Sequence, residues 1–269
     1  MSEFDYGFIG AGNMGTALAS AVCKMAEDDK VIISDADTQK AKEAAKNLNC
    51  KYGKNREIVS NSKFIFLGVK PQVLPQVLIE IAPIIEKRDD ECVIVTMAAG
   101  IKIEVIEKAI KGNVSVIRIM PNTPVLAGKG MIVYSLNKNV TSAQKSEFLN
   151  AFKYAGELDE LPEHLIDAAS SLSGCGPAFV YMFADALADG AVEAGLPRDK
   201  ALKYAIQTIS GAAELLALSG KHPEELKNAV CSPAGSTING VHALENGSFR
   251  SVCMNAVKSS FERTKELGK

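Results

Sequence analysis

The 269-residue chain is 47% hydrophobic and 23% charged with a formal charge of −2, the composition of a globular protein long enough for two domains. Lys and Arg are interspersed with Asp and Glu, so no basic stripe exists to attract nucleic acid. Six cysteines without a Cys-x-x-Cys pair, unclustered with the three histidines, suggest neither a metal site nor a disulfide framework and suit a reducing cytoplasm. The N-terminus enters a strand without a basic-then-apolar leader, and Asp185, Asp189 and Glu193 interrupt the most apolar helical run, 177–196, which argues against a membrane span.

In chain order, β-rich runs at 6–9, 31–34, 64–68, 93–97 and 115–119 predict strands, with 131–134 and 157–161 as weaker edge strands. Helical spacing at 14–25, 38–48, 72–85, 103–110 and 142–155 falls between them. This alternation predicts an α/β domain over residues 1–162, a mostly parallel, doubly wound sheet covered on both faces. From 163 to 269 the strand signals stop. Runs at 176–194, 198–218, 223–230, 236–246 and 249–267 carry apolar residues at helical spacing and predict an all-helical C-terminal domain.

The helix from Gly176 is apolar around most of its circumference, with Ala184, Ala188, Ala191 and Ala194 permitting close neighbours. Such a helix is normally buried on every side, and roughly a hundred residues supply too little chain to cover several faces. A homodimer is the expectation, with the central helix of a monomeric bundle as the alternative.

Gly10-Ala11-Gly12-Asn13-Met14-Gly15 follows the first strand and opens the first helix, the context that gives a Gly-x-Gly-x-x-Gly signal physical meaning. Gly10 suits a tight turn, Gly12 a close approach of pyrophosphate, and Gly15 the packing of helix on strand. A Rossmann-like dinucleotide domain follows. After the second strand, Ser34-Asp35-Ala36-Asp37 is ambiguous: an acidic residue there accepts from a ribose diol, whereas Ser34 with Lys40 suits a 2′-phosphate. NADPH and NADH both remain open, and Asp35 and Asp37 also fit a merely solvated turn. Gly68-Val69-Lys70-Pro71 and Met97-Ala98-Ala99-Gly100 follow two further strands, where small residues leave room for the nicotinamide half. Pro71 equally suits the start of a helix, and Gly100 a plain turn.

The helical half contains two serine-bearing turns. Ser171-Leu172-Ser173-Gly174-Cys175-Gly176-Pro177 leads into the long helix. The run 228–245 crowds Ser232, Ser236 and Thr237 around Pro-Ala-Gly just before an amphipathic helix, offering backbone N–H groups to a small carboxylate.

Together with Gly-Phe-Ile-Gly-Ala-Gly-Asn-Met-Gly at 7–15, Met-Pro-Asn-Thr-Pro at 120–124 and Ser-Gly-Cys-Gly-Pro-Ala at 173–178, these motifs resemble those of pyrroline-5-carboxylate reductases along essentially the whole chain. The resemblance implies reduction of 1-pyrroline-5-carboxylate to L-proline by hydride from NADPH or NADH, the last step of proline biosynthesis. It implies Thr237 as the catalytic hydroxyl on the imine nitrogen. Ser232, Gly235 and Ser236 would receive the substrate carboxylate beside Thr237, with Glu163 nearby. The coenzyme would touch Gly10, Gly12, Asn13, Met14, Gly15 and both strand-end turns, Asn55 its adenosine and Ser34 its 2′-phosphate. A dimer, extendable to a larger ring, is implied as well. Two departures stand out: Ala234 where the family usually has Gly, and Cys175 where Ser is frequent. Altered packing is the expected consequence.

Two other readings fit the same pattern less well. A β-hydroxyacid dehydrogenase commonly needs a proton-donating lysine on the central helix, and none lies between 177 and 194. A non-enzymatic nucleotide sensor has no need of the Ser232, Ser236 and Thr237 cluster. His164, His222 and His242 are assigned structural or surface roles.

Overall fold

A computed structural model describes residues 2–267. The chain separates into two compact units: residues up to Cys175 together with those from Ser260 on, and Gly176–Ser259.

In the first unit the strands are β1 (Phe4–Ile9), β2 (Val31–Ser34), β3 (Lys51–Tyr52), β4 (Ser62–Leu67), β5 (Val93–Thr96), β6 (Ser115–Met120), β7 (Gly130–Leu136) and β8 (Gly156–Glu160). They form one sheet in the order β3-β2-β1-β4-β5-β6-β7-β8, parallel except where β7 runs antiparallel to β6. The helices are α1 (Asn13–Cys23), α2 (Thr38–Leu48), α3 (Asn55–Asn61), α4 (Leu74–Ile85), α5 (Ile103–Ala109), α6 (Ser142–Ala151) and α7 (Ile166–Ser173). This is the Rossmann-like, doubly wound architecture that the alternating pattern predicts.

The central strands are buried on both faces, which is why β2, β4 and β5 read as unbroken Val, Ile and Phe runs without polar alternation. One face packs an aromatic spine. The register Tyr6↔Phe64 and Phe8↔Phe66 lays two pairs of rings side by side, the second with centroids 4.4 Å apart, and Phe152 meets Phe66 edge-on at 5.7 Å. On the other face Ile9, Ile65, Leu67 and Ile94 pack with Leu78 and Ile81 of α4 and Ile106 of α5.

Several details depart from the sequence reading. Strand β3 and helix α3 are additions; β3 is two residues, too short to raise a periodic signal, and α3 offers only the adjacent Ile58 and Val59 as apolar residues. β7 is no edge strand, since β8 pairs with it and Ile132, Val133 and Tyr134 are buried. Only β8 is an edge on that side. Residues 171–173, expected as the start of the turn 171–177, instead end α7, leaving Gly174 and Cys175 as the connection.

The second unit contains α8 (Gly176–Glu193), α9 (Arg198–Ser219), α10 (Pro223–Ala229), α11 (Ser236–Asn246) and most of α12 (Phe249–Leu267), and it is entirely helical. Its only buried cluster is an alanine seam: Ala188 of α8 lies against Ala201 and Ala205 of α9, with Ala191, Val192 and Leu196 beside it. Arg250 joins α12 to α10 through Glu224 and to α11 through Glu245. Large apolar side chains stay exposed within the single chain, among them Tyr181 and Met182 of α8, Ile206 and Leu218 of α9, and Met254 of α12. The apolar girdle of α8 is therefore real, and this chain alone does not cover it.

Candidate functional site

The glycine turn is built by backbone proximity. Gly10 sits at φ 110°, a left-handed conformation that strains any side chain, and a Cβ there meets the Gly68 carbonyl oxygen at 2.6 Å. A Cβ on Gly15 meets the Gly10 carbonyl oxygen at 2.1 Å, so helix α1 approaches the turn as only glycine permits. Around Gly12, by contrast, a Cβ finds nothing within 4 Å: the space is open. Gly12 is also the N-cap of α1 and contributes no side-chain cap, which leaves the first amides of the helix directed outward. The positive end of a helix beside open space fits a pyrophosphate group.

Two strand ends converge on this turn. The Gly10 N–H donates to the Ser34 carbonyl at 2.8 Å, and the Gly68 N–H donates to the Ile9 carbonyl at 2.8 Å. A cleft of about 900 Å³ results, whose walls include Gly10, Gly12, Asp35, Lys40, Lys54, Asn55, Gly68, Val69, Lys70 and Glu80. Asn13 and Met14 follow Gly12 on α1, and Pro71 follows Lys70. Met97-Ala98-Ala99-Gly100 ends the neighbouring parallel strand β5 on the same edge of the sheet, with Gly100 at φ 75°.

The acidic turn after β2 is occupied with backbone tasks. Asp35 accepts from the Ala11 N–H at 2.8 Å and from the Asp37 N–H at 2.9 Å, splinting the glycine turn. Asp37 caps α2 by accepting from the N–H groups of Gln39 and Lys40. Ser34 is only 1% exposed, and its hydroxyl donates to Asn55 Oδ1 at 2.7 Å. Asn55 in turn donates from Nδ2 to Glu80 at 3.0 Å. The structure thus brings Ser34 and Asn55, 21 residues apart in sequence, into direct contact.

Arg118, which the sequence reading passed over, organises the far side of the sheet. It is 1% exposed, donates to Glu163 at 3.4 Å, and pairs with Asp167 on α7; its Nε has no partner among the described residues. Glu163 also accepts from the Ile103 N–H at 2.6 Å, acting as a cap borrowed by α5. Asn122 accepts from the Met131 N–H and donates to the Ser173 carbonyl, both at 2.9 Å. The segment 163–173 is thereby tied to the nucleotide unit. A charge inside the apolar run Ser-Val-Ile-Arg-Ile-Met was the available signal, because a buried arginine demands partners.

In the helical unit, Ser232 and Gly235 lie in the turn between α10 and α11, and Ser236 and Thr237 open α11. The Gly235 N–H donates to the Ser232 carbonyl at 3.0 Å, and a Cβ on Gly235 meets Ser232 Oγ at 2.3 Å. Gly235 is the N-cap of α11 and again brings no side-chain cap, so the amides of Ser236 and Thr237 open a helix without a protein acceptor on them. Ala234 adopts φ 54°. At this position an alanine costs backbone strain on the order of 1 kcal/mol. Among the described residues no cluster of His, Cys, Asp and Glu suits a metal ion, and no helix is long and apolar enough to cross a membrane.

Comparison with known proteins places this geometry. Residues 163–267 match the family model described as pyrroline-5-carboxylate reductase dimerisation, and residues 5–100 match the one described as NADP oxidoreductase, coenzyme F420-dependent. The chain is 42% identical to pyrroline-5-carboxylate reductase 3 of Danio rerio, over 99% of this chain and 92% of the relative. It is 38% identical to the pyrroline-5-carboxylate reductase of Pisum sativum, over 98% and 96% of the two chains. The crystal structure of Plasmodium falciparum pyrroline carboxylate reductase with NADP bound superposes with a TM-score of 0.87 at 31% identity, covering all of both chains.

Proposed function

The chain belongs to the pyrroline-5-carboxylate reductase family, and from that premise we propose that it reduces 1-pyrroline-5-carboxylate to L-proline, the last step of proline biosynthesis, with NADPH or alternatively NADH. The observation that carries the proposal is that α1 and α11 each open at a glycine N-cap, Gly12 and Gly235, which brings no side chain to the first amides of the helix. The first suits the coenzyme's pyrophosphate and the second a substrate carboxylate.

The bound coenzyme supplies the hydride. The protein's task is positional: a cyclic imine takes up a proton readily, and the resulting iminium is a strong hydride acceptor. Ser236 and Thr237 hold the carboxylate on their N–H groups with Ser232 and Gly235 shaping the turn. The Thr237 hydroxyl hydrogen-bonds the imine nitrogen and orients it while the nitrogen's charge changes. Glu163, held by Arg118 and the Ile103 amide, has a structural role in fixing its own segment. Residues 1–162 provide the coenzyme site and 163–269 the substrate site and assembly. The uncovered apolar faces of α8 and α9 support a homodimer, from which larger rings are built. The cytoplasm is the proposed compartment.

Steady-state oxidation of NADPH and NADH with pyrroline carboxylate as acceptor tests the reading. Thr237→Ala is expected to lower kcat by about 10²- to 10³-fold, the scale of a single positioned donor, with coenzyme affinity retained. A parallel loss of NADPH binding in that variant refutes the assignment of Thr237. A stable 28.6 kDa particle by light scattering at micromolar concentration refutes the dimer.

A further inference from the structure

We propose that Glu80 is a coenzyme-specificity residue that acts through Asn55 and weakens recognition of a 2′-phosphate. The inference rests on the reading that the cleft takes NADPH or NADH. Its starting point is the directed chain of hydrogen bonds from Ser34 to Asn55 to Glu80.

An ionised carboxylate only accepts, so the Asn55 amide must turn its nitrogen toward Glu80, 3.0 Å away. Its carbonyl oxygen then faces Ser34, whose hydroxyl must donate to it at 2.7 Å. Glu80 on α4 thereby fixes the polarity of two groups it reaches in sequence, one of them buried. The consequence is a mismatch with phosphate. A phosphate dianion also only accepts, yet one of the two Asn55 amide hydrogens is committed to Glu80 and the Ser34 hydroxyl to Asn55, so a single donor of the pair is left for it. A ribose hydroxyl donates, and the lone pair remaining on Oδ1 of the cleft-lining Asn55 suits it.

Charge acts in the same direction. Glu80 lines the cleft with Asn55, opposing the cations Lys40 and Lys54 that line it as well. Replacing the carboxylate by an amide removes the charge and the obligatory acceptor together. Asn55 is then free to rotate and present both of its N–H groups to a phosphate.

The test is equilibrium binding of 2′,5′-ADP and 5′-AMP to the full chain by calorimetry, alongside KM for NADPH and NADH. In Glu80→Gln the Kd ratio is expected to move about tenfold in favour of 2′,5′-ADP, with the KM ratio moving the same way, as a charge-assisted hydrogen bond is gained. Glu57→Gln removes a like charge from the same cleft wall without touching Asn55. It is expected to move the ratio less than twofold. An unchanged ratio in Glu80→Gln, or an equal shift in Glu57→Gln, overturns the inference. Binding that shifts as expected in a chain that fails to reduce pyrroline carboxylate leaves the inference standing and refutes the proposed reaction instead.

Discussion

The nucleotide unit and the helical unit use their apolar residues in opposite ways. In the first, Phe8, Phe64, Phe66 and Phe152 are sealed between a sheet and its helices, and Ile and Val fill both faces. In the second, α8 and α9 bury mainly alanine, while Met182 is 73% and Leu218 79% exposed. The first has the core of a self-sufficient domain. The second has the short-range seam of a helical pair whose larger side chains await cover from another copy, which is why a hydrophobic sequence does not by itself mean an internal core.

Substitutions of similar size sharpen this contrast. Phe66→Ala removes a ring packed on Phe8 and Phe152 and is expected to cost about 3–5 kcal/mol of folding stability, read from denaturant unfolding. Met182→Ala, which removes an exposed side chain, is expected to change folding by less than about 0.5 kcal/mol while weakening self-association in sedimentation. Equal destabilisation by the two breaks the comparison.

Arg118→Met ranks next. It leaves Glu163 and Asp167, 28% and 23% exposed, without their buried cation, and about 2–3 kcal/mol is the expected loss, below the cost of breaking a wholly buried pair because both carboxylates reach water. Denaturant unfolding checks the size. A partial recovery when Glu163→Gln and Asp167→Asn accompany Arg118→Met checks the cause.

The smallest effect belongs to the helical surface. Glu224 has its carboxyl held down to about 2 by hydrogen bonds from Lys227 and Arg250. A depressed folded value means the contribution is present above the unfolded value near 4.5 and is lost as pH falls toward 2. Glu224→Gln should therefore lie slightly below the native chain in melting temperature at neutral pH and converge with it between pH 4.5 and 2, a gap near the limit of detection for a solvent-exposed pair. Thermal scans across that window decide it.

Much of this was legible in the residues. Strands β2, β4 and β5 carry apolar runs without polar alternation because both sheet faces are covered, and the glycine hexapeptide carries its turn in its spelling. The helical character of the C-terminal half was readable too, while α7 is tied to the nucleotide unit by Arg118 and Asn122 and so lies outside the compact unit that begins at Gly176. Other features left little trace. Strand β3 is two residues long, and Asp35 reads equally as a ribose acceptor, a solvated residue or the splint of a glycine turn.

Local chemistry alone determined the α/β order, the bare helix N-termini at Gly12 and Gly235, and the hydroxyls beside the second, since these depend on residues a few positions apart. Tertiary structure decided the rest: that β7 lies inside the sheet, that Arg118 meets two carboxylates 45 and 49 residues away, and that Ser34, Asn55 and Glu80 form one directed chain. Periodicity reports which face of an element is buried. It carries no record of which distant donor finds which acceptor, because that pairing is set only when the sheet aligns its strand ends.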